Sequence, residues 1–309
     1  MADTLTTMLH KHEDVVRLLA RGVLEFKQRR LALGTSTPED GEVVQTFLDR
    51  FYSSRIGMRL LISQHLAVRA SASGEGANGG SRRGSSDSPV YAGIINAKCS
   101  PADVVRDAAD AVRSLAFRHY GDAPDIVVHG DVDIRFPYVD SYLFFPLFEV
   151  LKNSVRATVE KHENADHSMP DVRVFIAGGD EHVTLKISDE GGGIRRSAMP
   201  SIWTYLFTTA EVSPSELLGL REFAADDAES SDDSSDEDDQ FGGYMSGYRV
   251  GLDPIAGFGY GLPLSRLYLR YFGGPGGESG DIKLVSIEGY GTDAYIQICK
   301  LGNRKEVLY

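Results

Sequence analysis

Cysteine is scarce in this chain. Two in 309 residues, Cys99 and Cys299, cannot build a disulfide framework or a cysteine-rich zinc cluster. A reducing compartment is the simplest reading, and their strand-like apolar surroundings predict buried thiols. Basic charge is also short. Lys and Arg number 32 against 45 Asp and Glu, and the net charge of −13 argues against nucleic acid or an anionic membrane as main partner. No apolar run approaches the roughly 18 residues of a membrane-spanning helix. The opening residues, MADTLTTMLHKHEDVV, show neither a signal peptide nor an Arg/Ser-rich transit segment and move straight into helical spacing. The 42 % hydrophobic content is enough for a core, and the length allows one large domain or two ordinary ones.

Helical spacing predicts helices over residues 13–33, 40–69 and 100–119, the last with Ser100 as N-cap and Pro101 in its first turn. Three helices need a further partner to close a bundle, so a four-helix arrangement calls for one helix more than this spacing provides. Residues 70–90, within the stretch RASASGEGANGGSRRGSSDSPV that runs from Arg69 to Val90, read as a flexible loop. From about residue 124 the pattern changes to strands: DIVVHG, DIRFPY, VRVFIAGG, HVTLKISD, DIKLVSIE and DAYIQICKL. Helices over 141–161 and 262–272 interrupt them. The expected fold is α+β: a helical domain over 1–122, then helices on one face of a mixed sheet over 123–309. Residues 224–240, AADDAESSDDSSDEDDQ, carry too much like charge to enter a core and should be disordered.

The chemistry gathers in four segments. EVLKNSVRATVE, residues 149–160, places Glu149, Lys152, Asn153 and Arg156 on one helical face. ISDEGGGI, residues 187–194, ends a strand in Asp189 and follows it with three glycines. GFGYGLP, residues 257–263, is a glycine loop entering a helix, a place where backbone N–H groups attract anions. GTDAYI, residues 291–296, comes last. Singly, these read equally well as a solvated helix face, a strand cap and turns. There is no GxxxxGK[ST] and no HRD/DFG set, which excludes a Walker-type site and a eukaryotic protein kinase.

Taken in order, the four segments resemble the GHKL (Bergerat-type) ATP-binding fold of gyrase, histidine kinases and MutL. The resemblance implies that Asn153 ligates Mg²⁺, a hard ion suited to an amide oxygen. It implies that Asp189 accepts from the adenine amino group above Gly191, Gly193 and Ile194, and that Thr292 closes the adenine pocket. Gly257, Phe258, Gly259, Tyr260, Gly261 and Leu262 would wrap the phosphates. RFYSSRIGMRLLISQHLAV, YGDAP, FTTAE and GFGYGLPLSRLY extend the likeness to the mitochondrial protein kinases that phosphorylate serine on the E1α subunit of α-keto-acid dehydrogenases. Within that family HEDVVRLLARG, HGDVDIRFPY and the short ending GNRKEVLY favour the branched-chain kinase over the pyruvate kinases. So does Phe145, which stands where the pyruvate kinases carry a His one turn before the Glu.

By this resemblance Glu149 is the general base, and Lys152 and Arg156 supply positive charge near the phosphates. An ion pair with Glu160, four residues on, is the plain alternative for Arg156. Phe207, Thr208 and Thr209 begin the ATP lid, 194–256, with the acidic run inside it. The carbonyls of Ile202, Thr204 and Phe207 align with a potassium site. His65 is expected to be structural rather than a phospho-acceptor. The implied partners are the E1α subunit, the lipoyl domain of the E2 core and a second copy of the chain, in the mitochondrial matrix. The chain starts later than that family does, which predicts an incomplete bundle and weakened E2 docking. Two other classes stay open: another GHKL ATPase, and a nucleotide-binding scaffold without catalysis.

Overall fold

The computed structural model describes residues 2–12, 14–35, 37–73, 90–163, 168–208, 259–272 and 280–300. The predicted acidic run, nearly all of the 70–90 loop and most of the lid, with Thr209, Gly257 and Phe258, lie outside the described residues.

Four helices make up most of the first part. They are α1 (Ala2–Lys11), α2 (Val15–Ala32), α3 (Pro38–Ser73) and α4 (Pro101–Tyr120). The sequence reading separated only three; α1 is the fourth, and it buries Leu9. Arg55 of α3 donates to the His12 carbonyl at 2.5 Å, tying the end of α1 to α3. The loop expected from residue 70 starts later, because α3 continues through the helix-compatible Ala70 to Ser73. Ser100 caps α4 as predicted: its Oγ accepts from Asp103 N at 3.2 Å, and Pro101 fills the first turn.

Two sheets follow. The larger has the strand order β3 (Ile126–Gly130), β5 (Val172–Gly178), β6 (His182–Asp189), β8 (Gly291–Cys299), β7 (Asp281–Ile287). β3 and β5 run parallel and the other neighbours antiparallel, so the sheet is mixed, as expected. DIRFPY does not join it. β4 (Phe136–Tyr138) pairs with β2 (Ile95–Cys99) and, through it, β1 (Tyr91–Ala92) in a small separate sheet. Alternation inside DIRFPY gave its period but not its partner.

Helices α5 (Asp140–His162) and α6 (Gly261–Tyr271) cover one face of the large sheet. Val174, Ile176, Leu185, Ile187, Ile296 and Ile298 point towards them and are buried, while Phe175, Val285 and Ile287 face out. One apolar cluster runs unbroken from Ala20 and Leu48 in the bundle through α4 and α5 to the sheet. Leu151 of α5 lies within it at 0 % exposure, so Leu151→Ala is expected to cost about 2–5 kcal/mol in chemical unfolding. Cys99 and Cys299 are buried thiols, as expected.

Asp281 locks α6 to β7. Its Oδ1 accepts from Arg266 Nε at 2.7 Å and its Oδ2 from Arg270 Nη2 at 3.2 Å. Burial works to raise this carboxyl, but the two arginines outweigh it and hold it below the ordinary range. A depressed carboxylate stabilises the fold above its unfolded value, near ~3.9, and loses that contribution as pH falls through the folded value. The difference in Tm between wild type and Asp281→Asn should therefore hold steady at neutral pH and shrink in acid.

Candidate active site

Between α5, the end of β6 and the start of α6 lies a cavity of about 790 Å³, within the size range of small-molecule sites. The segments chosen from sequence meet there. Glu149, Asn153, Arg156, Asp189, Gly191, Gly193, Ile194, Ile202, Phe207, Thr208, Gly259, Gly261, Leu262 and Thr292 all line it.

Helix α5 supplies one wall. Glu149 and Asn153 are four residues apart and so stack one turn apart on the same face. Glu149 is 3 % exposed, and its Oε1 accepts from Lys152 Nζ at 2.8 Å. Lys152 is equally buried, sits 5.3 Å from the centre of the Phe148 ring and is not part of the cavity wall. The structure thus gives Lys152 a different place from the one expected: beside the carboxylate, not along the cavity. A buried pair costs desolvation that attraction rarely recovers, so it is weak evidence for stability and better evidence of a demand at this spot. Arg156 makes the ion pair that is its plain alternative, its Nε lying 3.4 Å from Glu160 Oε1, and also borders the cavity.

Strand alternation supplies the opposite end. In β6 every second residue, Val183, Leu185, Ile187 and Asp189, is buried. The period that buries three aliphatic side chains therefore carries a carboxylate inward at the strand's last position. Asp189 Oδ1 accepts from Gly191 N at 3.0 Å and Thr292 N at 3.2 Å, and Ser154 bonds the same carboxylate. Burial raises its pKa, and these three donors counteract the rise. Such a group is a fixed acceptor on the cavity wall. Gly191 runs flush against α5, and a side chain there would strike Ala157.

The first turn of α6 packs against Glu149. A methyl group at Gly261 would fall on Glu149 Oε2. Gly261→Ala should therefore displace the Glu149 carboxylate and cost about 1–3 kcal/mol of stability, measured as Tm. Tyr260, expected at the phosphates, turns the other way. It is 1 % exposed and packs its ring 4.9 Å from that of Tyr205.

Three polar groups escaped the sequence reading. Ser286 Oγ accepts from Ile194 N at 2.6 Å and lies 3.0 Å from Thr292 Oγ1. The available signal was a serine on the same strand face as Ile282 and Leu284. Ser154 follows Asn153 directly. Lys161 lines the cavity and donates to the carbonyls of Gly289 and Tyr290, both at 3.1 Å. The Thr204 carbonyl already accepts from Phe207 N at 3.3 Å, so potassium there rests on resemblance alone. His65 is exposed on α3 and is not a packed structural histidine.

The residues fit Mg-ATP. The buried Asp189 carboxylate is an acceptor on the cavity wall, and the half-buried Asn153 amide lines the same cavity. Among the described residues no group of three or more His, Cys, Asp or Glu could cage a metal. Mg²⁺ usually keeps waters and substrate phosphates and takes few protein ligands, so a single amide oxygen such as that of Asn153 suits it. No helix among the described residues is long and apolar enough to cross a membrane.

Comparison with known proteins agrees. Residues 1–96 match the family described as mitochondrial branched-chain alpha-ketoacid dehydrogenase kinase. The mitochondrial pyruvate dehydrogenase (acetyl-transferring) kinase of Arabidopsis thaliana is 40 % identical over 301 residues, covering 96 % of this chain and 67 % of the relative. The Schizosaccharomyces pombe kinase of the same name is 36 % identical, covering 98 % and 60 %. Isozyme 3 of Mus musculus is 35 % identical, covering 97 % and 61 %. The chain thus spans between three fifths and two thirds of the length of these curated relatives. Their similarity along nearly all of the chain, joined to the meeting of the four segments in one cavity, shows that the chain belongs to the mitochondrial protein kinase family.

Proposed function

We propose that the chain is an ATP-dependent protein-serine kinase that phosphorylates, and so inactivates, the E1α subunit of a mitochondrial α-keto-acid dehydrogenase complex. The observation that carries this reading is the placing of Glu149 and Asn153 one turn apart on α5, both on the cavity wall, with Asp189 at its other end. Asp189 would receive the adenine amino group. Asn153 would ligate Mg²⁺, which when bound neutralises phosphate charge. Glu149 would take or orient the serine proton during attack on the γ-phosphate, which requires only a carboxylate within reach of the hydroxyl. Arg156 adds positive charge along the wall.

Lys152 gains a role from its position. In this chain the residue one turn before Glu149 is Phe145, whose ring packs 4.8 Å from that of Tyr268 and offers no hydrogen bond. Lys152 is the neighbour that holds and orients the Glu149 carboxylate.

On substrate, the sequence motifs favour the branched-chain complex, and the relatives point elsewhere. The match to the branched-chain family covers residues 1–96 alone, whereas relatives similar along nearly the whole chain are named pyruvate dehydrogenase kinases. Pyruvate E1α is the better-supported substrate, and the mitochondrion the better-supported location. A second copy of the chain is a further partner under this reading, supported by the outward-facing Phe175, Val285 and Ile287 on the large sheet. The lipoyl domain of E2 is a partner by resemblance only.

The test offers Mg-ATP with pyruvate E1 and, separately, branched-chain E1, and weighs the intact α subunits. One phosphate gained on the pyruvate subunit is expected. Gain on the branched-chain subunit alone would overturn the substrate. Gain on neither, with ATP still bound, would make the chain a nucleotide-binding scaffold.

A further inference from the structure

Helix α3 belongs to the bundle, yet two of its polar residues reach the segment that leads into the cavity. Asp49 Oδ1 accepts from the Tyr205 hydroxyl at 2.7 Å. Gln45 Nε2 donates to the Trp203 carbonyl at 3.2 Å, and Gln45 Oε1 accepts from Tyr205 N at 3.3 Å. Gln45 and Asp49 also meet each other at 3.4 Å. Together they grip both edges of the backbone around Tyr205, which is 3 % exposed. Burial, then the bond to Asp49, pushes the Tyr205 phenol pKa up, so it remains a donor.

The grip continues towards the nucleotide. The Tyr205 ring lies 5.9 Å from Tyr52 of α3 and 4.9 Å from Tyr260, the residue between Gly259 and Gly261. Leu206 follows at φ +67°, and no other non-glycine among the described residues has a positive φ. A leucine holds that conformation only where its surroundings impose it. Its amide donates to the Gly259 carbonyl at 3.2 Å, and Gly259 lies so close to the Phe207 backbone that a side chain there would strike it. Phe207, Thr208, Gly259 and Gly261 are cavity wall.

We propose that Gln45 and Asp49 are positioning residues: they hold Tyr205, and through it the Leu206–Phe207 turn and the stretch from Gly259 to Gly261, in the arrangement that accepts the nucleotide phosphates. Neither touches the cavity. Nucleotide affinity is thereby tied to the placement of a bundle helix. The inference rests on the Mg-ATP reading of the site.

The test measures binding of Mg-ATP and of adenosine, with Tm, for wild type, Tyr205→Phe, Gln45→Ala and Tyr91→Phe. Tyr91 also donates to a buried carboxylate, Asp140 Oδ2 at 2.8 Å, but in the small sheet away from the cavity, and serves as control. Tyr205→Phe should weaken Mg-ATP about 5–20-fold, the scale of one hydrogen bond to a charged group, and leave adenosine unchanged. Gln45→Ala should act in the same sense, which covers a Tyr205 variant that does not fold. Tyr91→Phe should change neither affinity. Unchanged Mg-ATP affinity in both α3-contact variants, or equal loss for adenosine, overturns the proposal. Wild-type protein that binds neither ligand removes the Mg-ATP reading and the proposal together.

Discussion

Glu149→Gln is expected to lower the phosphoryl-transfer rate by about 10²–10⁴-fold while leaving Mg-ATP affinity close to wild type. The substitution keeps the shape of the side chain and removes its ability to take a proton. It also removes the charge that Lys152 Nζ meets at 2.8 Å, and leaves a buried ammonium facing an amide. Part of the Tm will be lost for that reason, since an uncompensated buried charge destabilises. Transfer and binding are therefore measured side by side at a temperature where both proteins are folded. A variant that retains most of its transfer rate would remove Glu149 from the base position.

Asn153→Ala gives the second large effect, of another kind. Asn153 contributes an amide oxygen to the cavity wall and is only half-buried, so its loss leaves little void. In wild type, chelating Mg²⁺ should weaken ATP binding. In the variant, affinities with and without Mg²⁺ should converge. The loss in the presence of Mg²⁺ should be at least about 10–100-fold, the cost of losing merely an outer partner of a metal site. Equal Mg²⁺ dependence in the two proteins would place the metal ligand elsewhere. The two variants separate the roles: one keeps binding and loses transfer, the other loses the metal-dependent part of binding.

Much of this site could be read from sequence, for a local reason. Glu149, Asn153 and Arg156 share a helix, and their spacing alone puts them on one face. Asp189 continues an alternation of buried residues, so its inward direction follows from Val183, Leu185 and Ile187. Features that failed to appear depend on particular contacts that a period does not encode. The inward turn of Lys152 is set by Phe148 and by Glu149 itself, and a helical wheel does not distinguish it from a cation facing the cavity. Tyr260 stood among glycines and read as part of the phosphate loop. Its ring goes to Tyr205 and Tyr52, the latter more than 200 positions earlier by number. β4 alternates like its neighbours, and its membership of a separate sheet is fixed by β2, which is five residues long and followed by a helix. The short α1 lacked a long periodic run and was passed over.

The most direct measurement is calorimetric titration of Mg-ATP into the wild-type chain and into Asp189→Leu. Asp189 is a buried acceptor on the cavity wall, bonded by Gly191, Ser154 and Thr292 rather than by Glu149 or Asn153. Saturable one-to-one binding to wild type, abolished in a folded Asp189→Leu protein, is the predicted result. Equal binding by both proteins would place the nucleotide outside this cavity, and absence of binding to the wild type would contradict the assignment of the site altogether.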